Sequence, residues 1–198
     1  MNKIKRRLRY SYTAAFAGFI FGFDTIVISG VDQKLQGLWH STDLFHGLVV
    51  VGMALWGTVI GAIFGGLPTN YFGRKKTLLW IGYLYSISAI GSSISADPIT
   101  FAFFRFIGGV GIGISTIAAP AYISEISAPN ERGKLVGYYQ LNIVVGILFA
   151  FLSNFFLKEF GDSSWRIMVG IEAIPAIVYT VMIMYISQSP RWIYLNGD

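Results

Sequence analysis

The sequence contains no cysteine and few charged residues. The absence of cysteine excludes disulfide bonds and thiolate metal sites. Only 13% of the 198 residues are charged, whereas about a quarter would be charged in an ordinary soluble domain. In their place, 54% of the residues are hydrophobic and 16% are aromatic, with a mean hydropathy of +0.59. This composition indicates a membrane protein.

The apolar residues form six blocks of about 20 residues, the length that crosses roughly 30 Å of hydrocarbon. The predicted spans 1 to 6 cover residues 10–28, 47–67, 77–94, 99–123, 135–157 and 165–186. Strands of a β-barrel would be near 10 residues long with alternating polarity, which these blocks lack. We therefore predict an all-α membrane protein, with residues 1–198 as one six-helix domain. Because the connections are short, consecutive spans are expected to pack as antiparallel pairs.

Lysine and arginine are unevenly distributed between the connections. Eleven of the 15 lie in the N-terminal segment, the loops after spans 2 and 4 and the C-terminal end, whereas three lie in the other connections. This bias predicts a multi-pass protein of the inner or plasma membrane with both termini in the cytoplasm. It also accounts for the net charge of +5, so no nucleic-acid partner is expected. The first span lacks a small-residue cleavage site and is too long for a signal peptide, so we expect it to be retained.

Three ionisable residues, Asp24, Arg105 and Glu172, lie within the predicted spans 1, 4 and 6. Such residues cost about 2.5–3.5 kcal/mol each at bilayer depth and usually face a protein interior. Counting about 1.5 Å per residue places all three roughly 8–12 Å from the outer edge, so we expect them to meet. One base between two acids leaves a negative charge that a proton could neutralise. Our hypothesis is that Asp24 takes up a proton from outside and frees Arg105 to turn towards Glu172; a permanent structural ion pair is the alternative.

Glycines recur at intervals of four in the predicted spans 2 and 4, at positions 57, 61 and 65 and at positions 109 and 113. This spacing predicts close helix–helix packing in lipid. Residues 108–113 (Gly-Gly-Val-Gly-Ile-Gly) could instead suggest a nucleotide loop, but no strand precedes them and no Gly-Lys-Ser/Thr follows. We expect no cofactor and no metal, and without a nucleophile–base pair we expect no enzyme activity. His40 and His46 are expected to be solvated.

Two motifs resemble signatures of the major facilitator superfamily. Residues 66–76 (Gly-Leu-Pro-Thr-Asn-Tyr-Phe-Gly-Arg-Lys-Lys) are similar to the superfamily's loop between spans 2 and 3, and residues 105–111 to its span 4. The resemblance implies the N-terminal half of the major facilitator fold, built as a 3 + 3 inverted repeat. Transport by alternating access is then the expected function.

Further motifs are similar to those of the sugar porter family, and they cover nearly the whole chain. They lie at residues 22–30, 120–125, 132–133, 165–175 and 189–192. The resemblance implies a sugar substrate, with a monosaccharide expected, and assigns Gln140 to sugar binding; a helix–helix hydrogen bond is the alternative for this amide. Phe21 is a candidate for an apolar wall of the site, with plain packing as the alternative, and a second sugar-binding glutamine of the family corresponds to Ile147. The resemblance to the sugar porter family also implies a cytoplasmic gate formed by Arg74, Glu125, Arg132 and Arg191. Anchoring by the positive-inside rule would equally explain Arg74 and Arg191.

Departures from the family pattern bear on the mechanism. Asn70 stands where the loop has an aspartate, and Ser187-Gln188 stand where Pro-Glu is usual, which predicts a weaker inner gate. Asp24 favours proton symport over facilitated diffusion, and the lack of proline in span 5 argues against a drug antiporter. Because the resemblance covers only an N-terminal half, we expect a truncated or split product that needs a C-terminal half. Inactivity alone and action as a dimer of two copies are the alternatives.

Overall fold

A computed structural model describes residues 3–159, 161 and 163–196, so residues 1 and 198, the ends of the predicted domain, lie outside the described part. No strand occurs in the described part. Its α-helices are α1 Lys3–Val27, α2 Asp32–Leu38, α3 Asp43–Phe45, α4 Gly52–Phe64, α5 Gly66–Tyr71, α6 Arg74–Ile94, α7 Pro98–Ile126, α8 Arg132–Leu157, α9 Ser164–Gly170, α10 Ala173–Met184 and α11 Pro190–Asn196. A 3₁₀ turn covers Ile28–Gly30, and a π-helical segment covers His46–Val51.

Six helical segments are long and apolar enough to cross a bilayer. Spans 1 to 6 are Lys5–Gly30, Asp43–Phe64, Arg74–Ile94, Pro98–Ile126, Arg132–Leu157 and Ser164–Met184. Every predicted boundary lies within five residues of the observed one, so the six predicted spans are confirmed. The differences arise mainly because helices continue past the apolar block into polar residues such as Arg74 and Arg132.

Span 4 begins at a strong local signal. Asp97 is its N-cap, and the carboxylate accepts hydrogen bonds from the backbone N–H groups of Ile99 (3.0 Å) and Thr100 (2.9 Å). Pro98 occupies the first turn, where its missing N–H is not needed. The hydrogen bonds from the side chain and backbone of Thr100 lower the pKa of the Asp97 carboxyl below its usual value. The cap therefore favours the ionised acid, as expected at a helix N-terminus.

The spans do not pack in sequence order. Span 1 packs along span 5, span 4 packs along span 2, and spans 1 and 4 contact each other. Span 3 packs against spans 4 and 6. The expectation that consecutive spans form pairs is therefore wrong for spans 1 and 2, and holds along most of the helix length only for spans 3 and 4. Exchanging spans 1–3 with spans 4–6 converts the pair of spans 1 and 5 into the pair of spans 4 and 2, as a 3 + 3 repeat requires.

Glycines let the two main helix pairs approach backbone to backbone. A Cβ on Gly109 of span 4 would lie 2.0 Å from the Ala54 carbonyl oxygen of span 2. The prediction that these glycines mediate helix packing is confirmed. The other pair is built the same way, since a Cβ on Gly146 of span 5 would lie 2.0 Å from the Phe19 carbonyl oxygen of span 1. Sequence analysis missed this second contact, although Gly18 and Gly22 in span 1 have the same four-residue spacing.

Spans 2 and 5 leave most of their surfaces uncovered. Only 28% of the span 2 window and 17% of the span 5 window are buried, against 61% for span 1. Their exposed side chains are largely apolar, among them Trp56 and Phe155. These two spans therefore present faces that lipid or another protein segment can cover.

Candidate functional site

Asp24 and Arg105 form a buried ion pair between spans 1 and 4. Their side chains are 2% and 3% exposed. The guanidinium donates through Nη1 to Asp24 Oδ1 and through Nη2 to the Asp24 backbone carbonyl at 3.1 Å. The Nε atom of Arg105 is buried and has no hydrogen-bond partner in the described part of the chain. Both recorded hydrogen bonds of this guanidinium therefore go to one residue.

Glu172 approaches this pair from a break in span 6. Pro175 has no N–H to donate, so the helix is irregular here, and Glu172 and Ile174 donate instead to carbonyls three residues back. The Glu172 side chain is close enough to Asp24 and Arg105 to interact electrostatically with both. It is fully buried, and its Oε2 atom has no partner among the described residues. The three ionisable residues found by sequence analysis thus lie together, and we call them the acid–arginine cluster.

Small and hydroxyl side chains surround the acid–arginine cluster. Gly108 makes room for Ser88, since a Cβ there would lie 2.4 Å from Ser88 Oγ and 3.9 Å from Asp24 Oδ1. Tyr85 is close enough to Asp24 to interact with it electrostatically. Its hydroxyl donates to Ser115 Oγ at 3.1 Å. Sequence analysis did not identify these neighbours, because isolated serines and tyrosines in apolar helices carry no motif.

A cavity of about 390 Å³ opens beside the cluster between spans 1, 2 and 4. Asp24, Arg105 and Phe21 are among its lining residues, and most of the rest are apolar. Sites for small molecules typically measure about 300–1,000 Å³ and combine apolar walls with a few polar groups. The cavity therefore has the size and lining expected of a small-ligand site, and Phe21 is part of its wall.

Gln140 lies apart from this cavity. Its side chain is on the exposed surface of span 5, among the residues that no other helix of the described chain covers. Gly137, three positions earlier, is on the same open surface, with no atom within 4 Å of a Cβ built there. The amide could therefore meet a ligand only on the uncovered side of the bundle.

The end of the bundle that carries Arg74, Arg132 and Arg191 is here called the basic end. Arg74 pairs with Glu125 at 2.8 Å, with side chains 13% and 6% exposed. Ser189 donates to the other carboxylate oxygen of Glu125 at 2.5 Å. Arg132 and Arg191 are exposed and form no ion pair within the described residues. Of the four predicted gate residues, two are thus joined in this structure.

The two histidines differ from each other. His40 is exposed, as expected, but His46 is buried and bonded on both ring nitrogens, to Ser41 and to Asp32. The expectation that His46 is solvated is therefore wrong, because α2 folds back over the start of span 2. In the described part of the chain, no group of three His, Cys, Asp or Glu side chains is arranged to hold a metal.

Comparison with known sequences gives consistent matches. A sequence profile of the family described as "Sugar (and other) transporter" matches residues 10–198. The glucose transport protein of Synechocystis sp. is 39% identical over 206 residues, which cover 98% of this chain and 44% of that protein. The D-xylose-proton symporter of Escherichia coli is 34% identical, with 93% of this chain and 44% of that protein covered.

Comparison with solved structures extends the match to the fold. The proton:xylose symporter XylE of the major facilitator superfamily, bound to 6-bromo-6-deoxy-D-glucose, matches with a TM-score of 0.92 at 28% identity. The match covers 99% of this chain and 48% of that one. The chain therefore spans about half the length of these relatives. A profile match over almost all of the chain, together with the same bundle, shows that the chain belongs to the sugar transporter family of the major facilitator superfamily, as the counterpart of its N-terminal half.

Proposed function

We propose that the chain is the N-terminal half of a transporter that moves a monosaccharide by alternating access and couples it to protons. Relatives are named as a glucose transport protein and as D-xylose- and arabinose-proton symporters, which are transporters and not enzymes. The observation that carries the proton-coupling part is the acid–arginine cluster, in which a second buried acid, Glu172, lies beside the buried Asp24–Arg105 ion pair.

The charge balance of the cluster favours binding of one proton. With both acids ionised, the cluster would hold one uncompensated negative charge in a poorly hydrated place, which is costly. Two ionised carboxyl groups at close range also repel each other, and a proton on one of them removes this repulsion. The two acids are then expected to titrate as a unit.

The proposed conformational step is a change of partner by Arg105, from Asp24 to Glu172. Among the described residues, Arg105 donates its side-chain hydrogen bonds to Asp24. Protonation of Asp24 removes the negative charge that holds the guanidinium. Arg105 is then free to turn towards Glu172, whose Oε2 atom lacks a partner in the described chain. Proton uptake would thereby change the contact between spans 1, 4 and 6.

We propose that the basic end faces the cytoplasm, because lysine and arginine are retained on that side of membranes. The buried Arg74–Glu125 pair would hold this end closed. The exposed Arg132 and Arg191 would pair with groups outside the described residues in the closed state. The basic end would then open when these ion pairs separate.

The sugar site is proposed to lie between this bundle and a second one. Phe21 would contribute an apolar wall near Asp24, and the Gln140 amide would donate to and accept from sugar hydroxyls across the central space. A second wall is needed because spans 2 and 5 are open. It would come from a C-terminal half or from a second copy of this chain, and the bilayer would cover the rest.

The test is uptake by a complete transporter in proteoliposomes. The purified chain is reconstituted with the C-terminal half of the E. coli D-xylose-proton symporter, and labelled sugar is followed under an inward pH gradient. We expect Asp24→Asn to abolish accumulation while sugar exchange continues, because the alternating movement remains but the proton site is lost. Glu159→Gln is the matched control, since Glu159 is an exposed acid at the end opposite the basic end.

The same assay separates the alternatives. Accumulation by Asp24→Asn equal to that of the unmodified protein would contradict proton coupling through this residue. Sugar equilibration without accumulation in the unmodified protein would indicate a facilitator. Reconstitution of the chain alone, with cross-linking to count copies, tests the remaining point: uptake by a demonstrated monomer would contradict the half-transporter proposal.

A further inference from the structure

His46 lies in an unusual position at the end of the bundle opposite the basic end. Its side chain is only 5% exposed, although it lies near the start of span 2, close to the end of the bundle. The ring is held between two polar groups: Nδ1 is 3.0 Å from Ser41 Oγ, and Nε2 is 2.9 Å from Asp32 Oδ1. The Asp32 side chain is 43% exposed, so water reaches this site.

The two partners of His46 suit both of its protonation states. The Asp32 carboxylate accepts only, so Nε2 carries hydrogen in either state. The Ser41 hydroxyl donates to Nδ1 when the ring is neutral and accepts from it when the ring is cationic. The imidazole can therefore gain or lose a proton on Nδ1 without losing a hydrogen bond and without moving. Histidine is also a side chain that proteins commonly use as a proton shuttle.

His46 lines a cavity that adjoins the acid–arginine cluster. This outer cavity measures about 460 Å³ and is also lined by Asp32, Asp43 and Gln36. Ile28 and Val51 line both this cavity and the one that contains Asp24 and Arg105. A water molecule occupies roughly 30 Å³ of liquid volume, so both cavities have room for several. The two cavities are therefore neighbours, separated by Ile28 and Val51, and they lie between His46 and Asp24.

The charged groups around His46 are acidic. Asp32 bonds the ring directly, and Asp43 lines the same cavity while accepting from Gln36 at 2.6 Å. The nearby cations are engaged elsewhere: Lys34 donates to Ser164 and Gly161, and Arg166 donates to the Ser93 carbonyl. Clustered negative charge raises the local concentration of cations, including hydronium.

We propose that His46 is the proton-transfer residue through which protons from outside reach Asp24. A proton adds to Nδ1 at the Ser41 side, and the imidazolium gives a proton to water in the cavity. That water passes a proton to the Asp24 carboxylate, so imidazole and water are regenerated and Asp24 becomes a neutral acid. This inference rests on the proposed function, because it requires that the acid–arginine cluster binds the transported proton.

The test measures how fast Asp24 is protonated. The purified chain is reconstituted in liposomes that are buffered inside, the outer pH is dropped, and time-resolved infrared spectroscopy follows the carbonyl stretch of the new carboxylic acid. We expect a signal that Asp24→Asn removes. His46→Gln should slow its rise about 100-fold, the lower end of what a positioned proton-transfer group contributes, and leave its final amplitude unchanged. His40→Gln is the matched control and should leave the rate unchanged, because His40 is exposed.

A second variant separates proton transfer from a structural role. Imidazole added to the buffer should restore the rate of His46→Ala, since a soluble base can replace the missing one, whereas a lost structural contact would not be restored. Equal rates for His46→Gln and the unmodified chain would overturn the inference and leave the cluster as the proton site. Absence of any signal sensitive to Asp24→Asn would overturn both the inference and the proposed proton coupling. If His46→Gln does not fold, Asp32→Asn replaces it, and an unchanged rate in that variant would overturn the inference.

Discussion

Replacement of Gly146 by alanine tests the helix packing on which the bundle depends. A Cβ at this position would lie 2.0 Å from the Phe19 carbonyl oxygen, 2.9 Å from its carbonyl carbon and 3.0 Å from the Phe23 nitrogen. Ordinary contacts begin near 3.4 Å, so spans 1 and 5 would have to separate by about 1.4 Å at this point. The obstructing atoms are backbone, which cannot rotate away as a side chain can.

The expected cost follows from this separation. Overpacking of a well-packed interior costs about 1–3 kcal/mol, and occasionally more where the backbone itself must move. We expect the upper part of that range, because Gly18 and Gly22 of span 1 also pack closely against the backbone of span 5 and would lose packing too. The prediction is a loss of about 3 kcal/mol in the free energy of unfolding for Gly146→Ala.

The assay is reversible unfolding in mixed micelles with increasing dodecyl sulfate, followed by far-ultraviolet circular dichroism. Gly137→Ala is the matched control, since Gly137 lies on the same span and a Cβ there meets no atom within 4 Å. That variant should be neutral or more stable by up to about 1 kcal/mol, because alanine is the better helix former. Equal destabilisation by the two variants would refute the packing argument. Gly109→Ala should behave like Gly146→Ala, since its Cβ would lie 2.0 Å from the Ala54 carbonyl oxygen.

Two further predictions concern the ends of the bundle. Glu125→Gln should lower the free energy of unfolding by about 3–5 kcal/mol in the same assay, because it leaves the largely buried Arg74 charge unpaired. The control Arg191→Gln, at an exposed position, should change it by less than about 0.5 kcal/mol. Similar values for both variants would contradict the structural role of the Arg74–Glu125 pair. The Asp97 cap should depend on pH with a defined sign: the folded state lowers the pKa of this carboxyl, so its stabilising effect is present above the usual value of 3.8 and is lost as the pH falls. Amide hydrogen exchange of Thr100, corrected for its intrinsic pH dependence, should then lose protection on acidification, and Asp97→Ala should show no such change.

The six spans could be predicted because hydropathy is a local property of the chain. The blocks that supply about 30 Å of apolar helix are visible in the sequence, and the observed spans match them within five residues. The arrangement of the spans could not be predicted in this way. Short connections suggested that spans 1 and 2 pair, yet span 1 packs on span 5. That choice depends on matching faces such as Gly22 against Ile143, which lie far apart in sequence.

The cluster of Asp24, Arg105 and Glu172 could be anticipated for a different reason. Charges within spans must face the protein interior, and counting helix rise brought the three to a common depth. Depth alone does not say which acid the arginine bonds. In the structure Arg105 donates its hydrogen bonds to Asp24, because both side chains lie between spans 1 and 4. It places Glu172 at a proline-induced break in span 6, a local irregularity that hydropathy does not detect.

At the basic end, Gln188 makes a contact between helices although it stands where the family pattern has an acid. Gln188 stands where an acid is usual, and this suggested a weakened inner gate. In the structure, its side-chain oxygen accepts from the backbone N–H of Lys75 at 2.8 Å, at the start of span 3. A neutral amide serves there because the donor is a free helix N–H group, which needs an acceptor and not a charge. The Arg74–Glu125 pair, with Ser189 donating to Glu125, and the more exposed Arg7–Glu131 pair supply the ionic contacts at this end. The acid lost at position 188 therefore leaves the cross-helix contacts at this end in place.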